Sequence, residues 1–221
     1  MRHLPSVAAR ARYAGAAVAL PLLLMALLTG CVGAVRPPPV SAVVLAPLAE
    51  RRAALQAVQS FQLEGRLAAA VAGEGFNANL GWTQRGDRTE LDLRAPLGFG
   101  AARVVRDAGQ LTLEASRGEH FSGPLASEQL TQRLGFEPPL GSLRWWVLGV
   151  PDPTVALFTQ QLSADGQTVS AIDQLGWHIE YSEYGRYGST LAAAQLPRRL
   201  TLTRDQVRLR LVVDRWTVES P

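Results

Sequence analysis

Apolar and polar residues alternate one by one along much of the chain after about residue 60. A period of two is typical of β-strands that bury one face and expose the other. In 177–181, for example, the polar residues His178 and Glu180 alternate with a tryptophan, an isoleucine and a tyrosine. Gly-Asp at 86–87 and Ala-Gly at 108–109 favour tight turns between other stretches. The pattern predicts half-buried antiparallel strands. The other alternating stretches are 61–67, 76–83, 88–93, 111–115, 200–202 and 208–213.

Three segments follow a helical spacing instead. In 47–60 apolar residues recur at helical intervals, and Pro47 suits a first helical position. Short helices are also expected over 127–134 and over 143–148, the second capped by Ser142. The fold class is therefore mainly β with a few helices. Roughly ten strands with one apolar side predict a barrel or half-barrel, with that side facing the helices or a cavity.

The amino terminus has the plan of a secretory signal peptide, with a basic start and an apolar run from Ala14 to Leu28. The run is about 15 residues long, shorter than the ~20 that span a bilayer, and Pro21 interrupts it. Cys31, the only cysteine, directly follows Leu-Thr-Gly, a sequence that resembles the bacterial lipobox. We therefore expect residues 1–30 to be removed and Cys31 to be lipidated.

A proline-rich stretch separates this cysteine from the rest of the chain. Residues 31–47 include Arg-Pro-Pro-Pro, which favours an extended, semi-rigid tether. An ordered edge segment packed on the domain is the alternative. The leader holds three of the 22 basic residues and none of the 19 acidic ones, so the mature chain has no net charge. Nucleic acid is disfavoured as a partner, because binding phosphates needs a localised basic surplus and the basic residues here are scattered among acidic ones.

Several motifs, taken in order, resemble the LolB family of outer-membrane lipoproteins. The resemblance covers about 61–218, and its specificity lies in the order and spacing of the motifs together. The matching segments are 61–66 (FQLEGR), the strand ending at Trp82, 95–98 (APLG), 140–149 (LGSLRWWVLG), 176–181 (GWHIEY) and 215–218 (RWTV).

The resemblance implies a fold and a function. The expected domain, 48–221, is an unclosed (half) antiparallel β-barrel of about 10–11 strands, covered by a helical lid over an apolar cavity. The expected protein is monomeric, lipid-anchored in the outer membrane and facing the periplasm. It would accept acylated lipoprotein cargo from a LolA-like periplasmic chaperone and insert it into outer-membrane lipid without ATP, a cofactor or a metal. Val32 after the lipidated cysteine also favours the outer membrane, since aspartate there retains lipoproteins in the inner membrane of many Gram-negative bacteria.

The resemblance also implies site residues. A membrane-insertion loop is expected at Pro96, Leu97, Gly98 and Phe99, with Leu97 exposed. From the residues alone, the alternative that this leucine folds back into the core remains open. Trp145 departs from the family pattern and is a candidate for exposure. Tryptophans in apolar strands are ordinarily core residues, but those of the family line its cavity. The expected acyl-cavity lining is Leu80, Trp82, Leu143, Trp146, Val147, Trp177, Ile179 and Trp216.

Two other functions are to be weighed. His120 with Ser122, and His178 with Glu180, share strand faces and suggest an enzyme. The chain has no Gly-x-Ser-x-Gly elbow and no His-x-x-x-His motif, so we expect no catalytic activity. The second alternative is a structural or assembly lipoprotein of the envelope, which needs the same leader and a similar sheet but no acyl cavity.

Overall fold

One antiparallel sheet and three helices make up the part of the chain described by the computed structural model, residues 42–95, 100–116, 118–188 and 195–218. The helices are α1 (Ala42–Gln56), α2 (Pro124–Leu134) and α3 (Leu140–Trp146). The strands are β1 (Ser60–Val71), β2 (Glu74–Arg85), β3 (Arg88–Arg94), β4 (Ala101–Asp107), β5 (Gln110–Ala115), β6 (Glu119–Ser122), β7 (Leu157–Leu162), β8 (Val169–Gln174), β9 (Trp177–Gly185), β10 (Leu196–Arg204) and β11 (Val207–Val218).

The eleven strands lie in the order β6-β5-β4-β3-β2-β1-β11-β10-β9-β8-β7, and each neighbouring pair is antiparallel. The first and last strands meet at the centre, where β1 pairs with β11 from Phe61–Val218 to Val71–Val207. The edges are β6 and β7, and no pairing joins these two among the described strands. The sheet is therefore open, which confirms the predicted half-barrel.

The sheet buries one face, as the alternation predicts. On β1, Phe61 and Leu63 are buried while Gln62 and Glu64 are exposed. The other face carries exposed ion pairs, such as Arg66–Asp214 at 2.9 Å. Exposed pairs of this kind contribute at most about 1 kcal/mol each. Burial of the apolar face is thus the main contribution that holds the sheet against the helices.

Local signals set the limits of α2. Gly123 precedes it with φ 62°, and Pro124 occupies the first position, where its missing N–H costs nothing. Gly135 ends it in the left-handed conformation (φ 76°), with its N–H donating to the Thr131 carbonyl at 2.8 Å. The helix begins three residues before the predicted start and ends where predicted.

The other two helices differ from the sequence predictions at their amino ends. In α3 the prediction of Ser142 as cap is wrong, because the helix already begins at Leu140 and the Ser142 hydroxyl donates to Asp152 instead, at 2.6 Å. In α1 the prediction of Pro47 as first residue is also wrong, since it lies inside the helix near its amino end. A proline so early removes a single intrahelical bond. The helix therefore takes up 42–47 of the expected tether.

Candidate functional site

An apolar cavity of about 90 Å³ lies between the buried face of the sheet and the helices. Every described residue that lines it is apolar. Strands β1 to β4, β10 and β11 form its floor, while α2, α3 and the segment between them form its roof. The arrangement has the form of a lid over a cavity.

Four of the predicted lining residues lie on this cavity. Leu80 and Trp82 face it from β2, and Leu143 and Val147 face it from α3 and the residue after it. The Trp82 indole donates to the buried amide of Gln84 at 3.2 Å, which fixes the ring.

The other four predicted lining residues are buried elsewhere in the core. Trp146 and Ile179 are fully enclosed. Trp216 stacks edge-on against Phe61, with ring centres 5.3 Å apart. Trp177 lies edge-on to a cavity-lining phenylalanine, Phe136, at 5.9 Å, and therefore supports the wall from behind. A direct role in contacting acyl chains stays a prediction for all eight residues.

Much of the lining consists of leucines that sequence reasoning did not single out. On the strands they occupy inward positions of alternating stretches, so the period-two pattern was the available signal. On the lid they follow the helical face of α2. The main residues of this kind are Leu67, Leu200, Leu202 and Leu211 on the sheet, with Leu130 and Leu134 on the lid.

A buried glutamine holds the carboxyl end of α3. Gln174 accepts from the Trp146 indole at 2.8 Å and from the Asp152 N–H at 3.0 Å. Its amide donates to the carbonyls of Asp152 and Val155, both at 2.9 Å. The Tyr181 hydroxyl adds a bond to the Trp146 carbonyl at 2.8 Å, and burial raises the pKa of this tyrosine well above its ordinary value. Buried polar groups fully paired in this way fix a unique geometry.

A buried arginine ties the same helix to the β2–β3 turn. Arg144 Nη1 donates to the Gly86 carbonyl at 2.8 Å and to Asp87 Oδ1 at 3.2 Å. Its guanidinium lies 4.4 Å from the centre of the half-buried Trp145 ring, so the expected exposure of this tryptophan is only partial. Burial lowers the pKa of Arg144, and the nearby Asp87 opposes that shift.

The contacts of α2 are of a different kind. Among the described residues, its ion pair to the sheet joins Arg133 to Glu119 at 3.1 Å, and both side chains are partly exposed. Its buried residues are Ala126 and Leu130. The two halves of the lid are therefore held unequally, α3 by buried hydrogen bonds and α2 by apolar contact.

Among the described residues, the two histidines of the predicted pairs contact other side chains than Ser122 and Glu180. His178 Nδ1 lies 2.6 Å from Asp173 Oδ1 on an exposed face, and His120 Nδ1 lies 3.7 Å from Glu114 Oε1. In the described ranges no group of three His, Cys, Asp or Glu side chains is placed to hold a metal ion. In the same ranges no helix has the length and apolar character needed to cross a membrane. Cys31 and the predicted loop residues Pro96 to Phe99 lie outside the described residues.

The fold and the cavity together define a lidded half-barrel protein with an apolar interior. A family model described as "Outer membrane lipoprotein LolB" matches residues 59–216. The chain belongs to the LolB family.

Two curated relatives are similar over nearly their whole length, and both are named "Outer-membrane lipoprotein LolB". The one from Nitrosococcus oceani is 34% identical, over 88% of this chain and 94% of its own. The one from Nitrosomonas europaea is 35% identical, over 89% of this chain and 91% of its own. These matches confirm the expected family, outer-membrane location and part in lipoprotein localization.

A solved structure supports the fold. The crystal structure of a DUF1329 family protein from Desulfovibrio piger superposes with a TM-score of 0.50 at 10% identity, covering 80% of this chain and 93% of that one. At this identity the likeness concerns architecture alone.

Proposed function

We propose that the protein accepts acylated lipoproteins from a LolA-like periplasmic chaperone and inserts them into the outer membrane. The observation that carries the proposal is a cavity beneath a helical lid whose described lining residues are all apolar. Membership of the LolB family supports the cargo class and the chaperone partner. A purely scaffolding lipoprotein has no use for such an interior.

The physics of acyl chains suits this cavity. Each methylene removed from water contributes ~0.8 kcal/mol, so release of a full set of chains into water is too slow to use. Cargo must pass from one apolar interior to another and then to the bilayer. Such a transfer needs affinity that rises towards the acceptor, and it needs neither a nucleophile nor ATP.

The cavity must enlarge to take its cargo. Its volume of about 90 Å³ is well below the ~300–1,000 Å³ of ordinary ligand pockets. We propose that α2 moves and α3 stays. Gly123 and Gly135 bracket α2 in positive-φ conformations, whereas α3 is held by the Gln174 and Arg144 bonds. Displacing α2 withdraws Leu130 and Leu134 from the roof and opens the floor to an acyl chain.

The predicted loop completes the proposal. Leu97, followed by Phe99, offers apolar side chains that enter lipid, and the anchor at Cys31 keeps the protein at the destination membrane. In this division of labour the anchor directs delivery and the loop performs it. A Cys31→Ala form is expected to accept cargo but to deliver it to the wrong membrane.

Photo-crosslinking tests the cavity directly. A benzophenone amino acid at Trp82, which faces the cavity, is expected to crosslink to the acyl chains of a lipoprotein handed over by its chaperone. The same group at Thr83, the next residue on β2 and on the opposite face, is the matched control. Equal crosslinking at both positions, or none at either, would favour the scaffolding lipoprotein.

Distances between spin labels test the lid. Acylation of the only cysteine leaves no free thiol, so introduced cysteines can be labelled selectively. A label at the exposed Gln132 of α2 should move away from one at Arg210 on β11 when cargo binds. Labels at Glu180 and Arg210, both on the exposed face of the sheet, should keep their distance. An unchanged Gln132–Arg210 distance with bound cargo would show that α2 is not the moving part.

A further inference from the structure

A second cavity, of about 330 Å³, lies between α1 and the strands β7 and β8. It shares no residue with the apolar cavity beneath the lid. Unlike that cavity it is amphipathic, because its α1 side carries two arginines, Arg51 and Arg52, between Leu48 and Leu55. The side opposite α1 is a mainly apolar wall that includes Val150, Pro151 and Val169. Positive charge facing an apolar wall suits a ligand with an anionic head and an apolar tail.

Arg51 is a buried cation without an anionic partner in the described part of the chain. Its residue is 9% exposed, and its Nη2 donates to the Gln195 carbonyl, the one hydrogen bond found there. A guanidinium has five N–H donors, so most remain available. Burial lowers the pKa of Arg51, and nearby Tyr184 opposes this shift. Burying a charge without a counter-ion is costly, and an anion in the cavity removes that cost.

The groups around the cavity leave the positive charge uncompensated. Among the described lining residues none is acidic. Asp152, on the segment that follows α3, accepts from Ser142 at 2.6 Å and from Thr154 at 2.7 Å, and its carboxylate forms no ion pair with either arginine. The Tyr184 hydroxyl donates to the Val169 carbonyl at 2.7 Å. No carboxylate of the described chain forms an ion pair with Arg51.

A third polar group is also available. Gln160 lines the cavity from β7, and its Oε1 is buried with no hydrogen-bond partner among the described residues. The O and N of a glutamine amide exchange by a simple rotation, which turns two N–H donors towards an anion. Two guanidiniums and an amide form the donor set that phosphate oxygens favour.

We propose that this cavity binds the phosphate headgroup and one chain of an anionic phospholipid of the host membrane. Arg51, Arg52 and Gln160 hold the phosphate, and the apolar wall takes the first part of the chain. The helix that carries both arginines begins only a short stretch of chain after the predicted lipid anchor. Ten residues separate Cys31 from the start of α1, and a fully extended chain of this length spans at most about 40 Å. The bound lipid would secure α1 to the bilayer independently of cargo.

Hydrogen exchange of the α1 amides tests the site in the mature lipoprotein reconstituted in nanodiscs. Phosphatidylcholine carries the same phosphate but balances it with a choline cation, which the two arginines repel. Discs containing phosphatidylglycerol, whose headgroup has no cation, are therefore expected to slow this exchange about tenfold relative to pure phosphatidylcholine, if lipid is present at about ten times its Kd. Dodecyl phosphate added to phosphatidylcholine discs should give the same protection, whereas dodecanol should give none. Equal exchange in the two kinds of disc, with no effect of dodecyl phosphate, would overturn the proposal.

Further arms separate the sources of the anion. Protection by inorganic phosphate alone would contradict the proposal that the ligand needs an apolar chain. Protection by dodecyl phosphate but not by phosphatidylglycerol would overturn the membrane source and leave a free single-chain amphiphile as the ligand. Cargo crosslinking at Trp82 is a separate readout, so failure here is distinguishable from failure of the proposed carrier function.

Two variants tie the protection to this cavity. Arg51→Gln with Arg52→Gln should abolish it, while Arg208→Gln with Arg210→Gln, which removes the same charge from the exposed face of β11, should not. Ala49→Trp, at an exposed position on the cavity rim, should block the site while both arginines are retained. If the first variant misfolds, the rim variant decides alone. Full protection in Ala49→Trp, or loss of protection in the β11 control, would contradict the assignment.

Discussion

Replacing Gln174 by leucine tests the claim that one buried amide holds the fixed half of the lid. The side chain is 1% exposed and uses all of its hydrogen-bonding capacity. Gln174→Leu keeps a similar side-chain volume but leaves four buried groups without their hydrogen-bond partner. These groups are the Trp146 indole N–H, the Asp152 N–H, and the carbonyls of Asp152 and Val155. Among the described residues, no second side-chain amide bonds to these four groups.

The magnitude follows from counting these groups. At a net ~1 kcal/mol for each lost bond, the four together cost about 4 kcal/mol. Two more apolar carbons in the core return about 1.6 kcal/mol. The free energy of unfolding should therefore fall by at least about 2 kcal/mol, a large part of the ~5–15 kcal/mol typical of a domain.

Urea unfolding of the mature protein, followed by tryptophan fluorescence, measures the change. With a urea slope of ~2 kcal/mol per molar, the midpoint should fall by about 1 M. Gln161→Leu, at an exposed position on β7, is the control and should change stability by less than about 0.5 kcal/mol. A Gln174→Leu effect no larger than that of the control would refute the idea that these bonds anchor α3.

Three other perturbations test the loop, the hinge and the outer face. Leu97→Glu should leave folding and cargo receipt intact but block insertion, and insertion at the wild-type rate would exclude Leu97 as the inserting residue. Gly135→Ala places a Cβ 3.3 Å from the Val71 side chain at φ +76° and should slow cargo transfer several-fold. The control is Gly109→Ala, at φ +80° with open space around it. Both variants should lower the free energy of unfolding by ~1–2 kcal/mol, but the control should transfer cargo normally. The hydrogen bond from Arg88 holds the pKa of Glu90 below its ordinary 4.5, so its stabilisation is present above that pH and is lost as the pH falls through the lowered value. Glu90→Gln should therefore cost up to about 1 kcal/mol at pH 7 and progressively less as the pH falls below 4.5, measured by urea unfolding over that range.

The strands that could be predicted are those with one buried and one exposed face. On β9 the buried Trp177 and Ile179 alternate with exposed residues, and the pattern is plain in the sequence. β7 lies at the sheet edge and has no buried face, while β8 buries neighbouring residues on both sides, so neither alternates. Both were missed for this reason. β4 and the four-residue β6 were missed as well.

The cavity was predictable only in part, because alternation fixes a face but not a position along it. Trp82 and Trp216 both point inward, yet only the first reaches the cavity. Gln174 was missed altogether, since its burial depends on partners up to 28 residues away. Arg51 gave no local signal either: an arginine in an amphipathic helix is ordinarily exposed, and its burial follows from how α1 docks.

The meeting of β1 and β11 at the centre of the sheet has a consequence for the order of folding. Arg66 and Asp214 pair across this seam although 148 residues separate them. In a chain secreted amino end first, β1 cannot pair with β11 until this last strand has emerged. Until then, the edge of β1 that will face β11 has no hydrogen-bonding partner. Closing so long a loop is slow, and an exposed strand edge invites aggregation. We therefore expect this protein to depend on periplasmic holding factors during biogenesis, and a chain cut short before β11 to leave two separate meanders and no half-barrel.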